Sequence, residues 1–98
     1  MHIEFTRSGG FAGLRINRSF DTAAMAPEEA QELSGLIDSA SFFELPETLK
    51  SSGADQLQYK ITIEHEGKTH TVTADERAVP ATLSPLVKRL MVAARNRG

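Results

Sequence analysis

Residues 59–74 read YKITIEHEGKTHTVTA. Tyr59, Ile61 and Ile63 alternate with Lys60, Thr62 and Glu64, and Val72 and Ala74 alternate with Thr71 and Thr73. A period of two marks a strand with one face buried and the other in water. Glu66-Gly67-Lys68 separates the two runs as a turn, so this stretch predicts a β-hairpin. The same pattern recurs at the other end of the chain. Ile3 and Phe5 alternate with His2, Glu4 and Thr6, then Ser8-Gly9-Gly10 interrupts. Leu14, Ile16 and Phe20 follow, alternating with Arg15, Asn17 and Ser19. That is a second hairpin, with glycines where the backbone needs positive φ.

Each hairpin leads into a helical pattern. Pro27 suits the first helical position, where no amide hydrogen is missed. Glu28 and Glu29 favour the positive end of the helix dipole. Ala30, Leu33, Leu36, Ile37 and Ala40 form one apolar stripe, with Gly35 inside it. Phe42, Phe43 and Leu45 are expected to lock the helix exit into the core, and Pro46 ends that segment. Near the C-terminus Leu83, Leu86, Val87, Leu90 and Ala94 form another stripe, with Pro80 and Pro85 crowding its start. Residues 47–55, ETLKSSGAD, carry no apolar period and predict an exposed loop. The expectation is an α+β fold ordered β-β-α-β-β-α. Its four-stranded antiparallel sheet comes from two hairpins, with both helices on one face.

The chain has 98 residues, 40% hydrophobic and 24% charged. That length suits one domain, residues 1–98, with a modest core and no large enclosed cavity. There is no cysteine, so disulfides, thiolate metal sites and cysteine nucleophiles are excluded. The opening MHIEFTRSGG lacks the apolar run of a signal peptide, and no stretch approaches the length of a membrane span. A cytoplasmic protein is expected. A net charge of −2 argues against a nucleic-acid partner. Glu28, Glu29, Glu32 and Asp38 form an acidic run, and Lys88, Arg89, Arg95 and Arg97 a basic one. Both read as solvated helix faces matched to the macrodipole.

Catalytic constellations fit poorly. His65-Glu66-Gly67-Lys68-Thr69-His70 resembles the zinc-protease pattern H-E-x-x-H, but the histidines stand five apart and lie on a turn. The zinc motif needs them four apart on a helix. A two-residue turn at Gly67-Lys68 would set His65 opposite His70, about 5 Å apart at Cβ. The pair is then either two metal ligands with no evident third or simply two imidazoles at a sheet end. No nucleophile elbow is present. Gly9, Gly10 and Gly13 join two strands, whereas a phosphate loop delivers the chain into a helix. The open face of the sheet lacks the aromatic residues and basic field that RNA binding requires.

Arg7-Ser8-Gly9-Gly10-Phe11-Ala12-Gly13 sets an aromatic residue among glycines at a hairpin end. Phe11 either folds back onto the core or is presented as an anchor for a partner's pocket.

On these residues the chain resembles the emfourin family, inhibitors of thermolysin-like zinc metalloproteases of the protealysin type. The similarity begins with Ile3-Glu4-Phe5-x-Arg7-x-Gly9-Gly10-Phe11-Ala12-Gly13-Leu14. It continues through Pro27-Glu28-Glu29-Ala30, Ala40-x-Phe42-Phe43-x-Leu45-Pro46 and Ala54-Asp55-x-x-x-Tyr59. It closes with His70-Thr71-Val72 and Leu86-Val87-x-x-Leu90. The resemblance implies a non-enzymatic bacterial or archaeal protein without cofactor or metal. No membrane partner is expected, and the free chain is expected to be a monomer. Its partner would be a thermolysin-like metalloprotease, met at or near the active-site cleft. Arg7, Ser8, Gly9, Gly10, Phe11, Ala12 and Gly13 are the expected partner-binding residues, with Asp55 and Tyr59 as further candidates. The alternative is a protein-interaction module with a different partner.

Overall fold

A computed structural model describes residues 1–9, 15–51 and 57–96 of the chain. The two hairpins are present as β1 (His2–Gly9) with β2 (Ile16–Asp21), and β4 (Leu57–His65) with β5 (Lys68–Asp75). They join through β1 and β4, which pair antiparallel with Ile3 opposite Ile63 and Phe5 opposite Ile61. The helices are α1 (Pro27–Ser39) and α2 (Ser84–Asn96). The class is therefore α+β, as expected, with one difference in the sheet. A fifth strand, β3 (Thr48–Leu49), pairs parallel to β5 and makes the sheet mixed, in the order β2-β1-β4-β5-β3.

That strand lies in the segment expected to be loop. Its two residues carry no readable alternation, and their pairing is set from outside by the edge of β5. The Glu47 carbonyl accepts the Thr73 amide at 2.8 Å, and Thr48 and Leu49 face Thr73 and Ala74. The chain from Glu47 to Ser51 is thus fastened to the sheet.

The alternation assigns the faces correctly. Ile3, Phe5, Ile61, Ile63 and Val72 are at most 1% exposed. They form one core with Leu33 and Ile37 of α1 and Leu86 and Leu90 of α2. Burying a side chain of this kind stabilises the fold by about 1.5–3 kcal/mol. Both helices cover this face. The other face is polar, with Glu4, Lys60 and Glu64 exposed and the hydroxyls of Thr62 and Thr71 bonded across the strands at 2.9 Å. Tyr59 lies on the covered side, so among the described residues the open face carries no tyrosine, phenylalanine or tryptophan.

Helix boundaries follow local chemistry. Pro27 opens α1, and Ala26 before it makes no side-chain cap. Ser41 adopts φ +50° and turns the chain from α1 into a 3-10 turn, Phe42–Glu44. Phe42 is 1% exposed and packs edge-on against Phe43 and His70 at 5.7 and 5.6 Å. The ring Nε2 of His70 bonds the Leu45 carbonyl at 2.7 Å, which ties the helix exit to β5. The two charge runs meet across the helices: Arg89 of α2 reaches Glu32 through Nε and Glu29 through Nη2, the latter at 3.3 Å.

The hairpin turn differs from the sequence reading by one residue. It comprises Glu66 and Gly67 only, at φ +51° and +79°, and Lys68 already pairs with His65. A two-residue connection needs both central residues at positive φ, and Gly67 takes the second. His70 consequently faces Ile63, not His65. Among the described residues no group of three or more His, Cys, Asp or Glu side chains is placed to hold a metal ion.

Candidate partner-binding site

The pairing of β1 with β4 builds the candidate site. It sets Arg7 opposite Tyr59, Ser8 opposite Gln58, and Gly9 opposite Leu57. The last residues of β1 and the first of β4 therefore form one end of the sheet. Segments 10–14 and 52–56 continue the chain from that same end. Of the residues expected to bind a partner, Arg7, Ser8, Gly9 and Tyr59 are brought together here. Gly10, Phe11, Ala12, Gly13 and Asp55 lie outside the described residues. Gly9 has φ +97°, a conformation that side-chain-bearing residues rarely adopt. This gives the first glycine of the motif a backbone role at the strand exit.

Tyr59 is 9% exposed, and its ring stacks on Phe5 with centroids 6.1 Å apart. Its hydroxyl donates to a Glu76 carboxylate oxygen at 3.4 Å, which is long for an O–H donor and correspondingly weak. Burial raises the phenol pKa above its usual value. The Glu76 carboxylate raises it further, and the Arg7 guanidinium beside it pulls the other way. Arg7 is half-buried on the same side of the sheet, between Ile16 and Tyr59. Its Nε is buried and finds no hydrogen-bond partner among the described residues. Beside Tyr59 a shallow groove runs along α2, lined by Glu76, Val79, Ser84, Val87 and Lys88.

Asp75 completes this end, and the sequence offered no sign of it. It is 9% exposed and is the sole charged residue in the buried class among the described residues. One carboxylate oxygen accepts the Ser51 amide at 2.9 Å, and the other accepts the Gln58 side-chain amide at 3.0 Å. These bonds, the Ser51 amide first and Gln58 second, hold its pKa below the usual carboxylate range against the effect of burial, with Lys50 adding a smaller attraction. Asp75 stands 24 residues from Ser51 and 17 from Gln58, so no local spacing announces the arrangement.

No helix among the described residues is long and apolar enough to cross a membrane. No curated protein and no solved structure matches the chain significantly. The family model described as Emfourin matches residues 5–91. That span runs from Phe5 in β1 to Met91 in α2 and takes in most of both hairpins, all of α1, the first part of α2 and the sheet end just described, so the chain belongs to the Emfourin family, a family of metalloprotease inhibitors.

Proposed function

We propose that this chain inhibits a thermolysin-like zinc metalloprotease of the protealysin type in the cytoplasm, docking through the sheet end formed by β1 and β4. The observation that carries this reading is the pairing of Gly9 with Leu57. It brings the strand ends that lead into 10–14 and out of 52–56 side by side, within a chain that matches the family from 5 to 91.

The mechanism is steric. Segment 7–13 enters the cleft between the protease lobes, with Phe11 leading. Thermolysin-like enzymes favour a bulky apolar residue just after the scissile bond, which gives Phe11 a pocket. Arg7, half-buried beside Tyr59 at this sheet end, pairs with an acidic rim. Because β1 and β4 are rigid members of a five-stranded sheet, the segment's anchorage is fixed before docking, and less entropy is lost on binding. The inhibitor contributes neither a metal ligand nor a catalytic group.

The test is peptide hydrolysis by a thermolysin-like protease preincubated with increasing amounts of the chain for increasing times. Inhibition that saturates with concentration is expected. Phe11→Ala should keep its fold and lose about 2 kcal/mol or more of binding, the scale of a buried aromatic anchor. A folded Phe11→Ala chain that inhibits like the parent removes the anchor from the mechanism. A parent chain that leaves the protease untouched at every concentration removes the mechanism itself.

A further inference from the structure

The open face of the sheet is polar, but its charges are sorted along the strands. Side chains alternate between the two faces, so the register fixes which charges share this one. Towards the exit of β1, Lys60 stands between Thr6 of β1 and Thr73 of β5, and Thr6 in turn faces Asn17 of β2. Towards the Glu66-Gly67 turn, His2 stands between Asp21 and Glu64. Lys60 therefore lies nearer the end that carries Arg7 and Gly9, and the carboxylates of Asp21 and Glu64 lie at the far end, with Glu4 between. A shallow depression marks the basic side, lined by Glu4, Thr6, Arg15, Asn17, Lys60 and Thr62. Arg15 and Lys60 are exposed, and among the described residues neither forms an ion pair with a carboxylate, Glu4 included. Arg89 of α2, by contrast, is already committed to Glu29 and Glu32. The Thr62 hydroxyl is taken up by Thr71, which leaves Thr6 and Asn17 as the neutral donors of the depression.

Resting on the inhibitor reading above, we infer that this depression is an anion subsite of the docking surface, where Arg15 and Lys60 receive carboxylate side chains from an acidic patch on the protease. Continuity with the candidate site assigns the occupant. Thr6 and Lys60 are the chain neighbours of Arg7 and Tyr59, and alternation sets the first pair on the open face and the second on the covered one. A partner seated over this end of the sheet meets cations on both sides of it. Carboxylates suit the donors present, since a guanidinium takes one bidentately and an ammonium takes one as a point charge. A nucleic-acid strand does not, because the depression holds Glu4 and no aromatic residue. Exposed ion pairs add little to affinity, but they steer encounter and suppress wrong orientations. Asp21 and Glu64 would repel the same acidic patch, so the sorted charges favour approach by the end that carries Arg7 and Gly9.

The onset of inhibition of a thermolysin-like protease, followed with a fluorogenic peptide at low and at high salt, reads the association rate. The chains compared are the parent, Lys60→Glu, Arg15→Glu, the double variant, Lys60→Arg and Glu64→Lys. All these sites are exposed, and amide spectra check that each chain keeps its fold. The double variant should associate about tenfold more slowly at low salt, the scale of lost electrostatic steering, with a smaller change in dissociation. The difference from the parent should shrink as salt rises. Lys60→Arg keeps the charge and should keep the rate. Glu64 lies four residues along β4 from Lys60, about 13 Å away. That exceeds the screening length of about 8 Å at physiological salt, so Glu64→Lys should leave the rate nearly unchanged there. In the free chain, a blocked tetraglutamate peptide should shift the amide resonances of Thr6, Asn17 and Lys60 more than that of Glu64, and the shifts should fade with salt. Shifts centred elsewhere overturn the subsite. A folded double variant that associates like the parent also overturns it, while leaving the inhibitor reading intact. A parent that does not inhibit overturns both the inhibitor reading and the protease as occupant.

Discussion

Tyr59 packs its ring on Phe5 and carries its hydroxyl to Glu76, so a single residue belongs both to the core and to the rim of the site. The sequence marked it twice, as a strand residue and as a family match, without separating the two roles. At 9% exposure its ring is committed to packing, which leaves the hydroxyl edge as the part a partner can reach. Tyr59→Phe should keep the stack and cost less than about 1 kcal/mol near neutral pH, because the hydroxyl bond is long. The pH dependence has a definite sign. A raised phenol pKa contributes stability that is complete below the ordinary value of 10.0 and is lost as pH climbs through the folded value. Urea midpoints of the parent should therefore fall more steeply than those of Tyr59→Phe in strongly alkaline buffer. Asp75 behaves oppositely. Its lowered pKa contributes stability that is present above the ordinary carboxylate value and disappears as pH falls through the folded one. In acid, urea midpoints of the parent should drop toward those of Asp75→Ala, and the gap between the two should close.

Among the elements, the two described glycines with open space around them separate backbone conformation from packing. A Cβ at Gly35 or at Gly67 meets nothing within 4 Å, but Gly67 stands at φ +79°. Gly35→Ala in the interior of α1 should stabilise the fold by about 1 kcal/mol, the propensity difference between the two residues. Gly67→Ala should destabilise it by about 1 kcal/mol, since alanine resists the left-handed region. Thermal melts of the two variants should shift in opposite directions. The contact between helices is weaker than its geometry suggests. Arg89 reaches both Glu29 and Glu32, but the three side chains are 23%, 42% and 54% exposed. Arg89→Met should cost no more than about 1 kcal/mol, and the cost should shrink further at high salt. These elements also mark what a sequence can disclose. Strands β1, β2, β4 and β5 were readable because each alternates against a buried face, and both helices because their stripes recur at helical spacing. Strand β3 was not readable, since two residues held by the edge of β5 leave no period behind. The turn slipped by one residue because Glu66 accepts a left-handed conformation that composition alone does not assign to glutamate.

At the scale of the whole molecule, the joining of β1 to β4 turns two separate hairpins into one site. Arg7 and Gly9 match the family in one stretch of the sequence and Tyr59 in a distant one, and the antiparallel register makes them neighbours. Asp75, Gln58, Ser51 and Glu76 were invisible because their roles depend on contacts between distant parts of the chain. The opposite end of the sheet, with the Glu66-Gly67 turn, carries none of the expected contact residues. A partner that docks as proposed should leave that end untouched. Amide hydrogen exchange of the chain, alone and bound to a thermolysin-like protease, reads this directly. Protection should gather at residues 7–13 and 51–59, with exchange at Glu66 and Gly67 unchanged. Protection centred on the β4–β5 turn, or along the exposed faces of the helices, would contradict it.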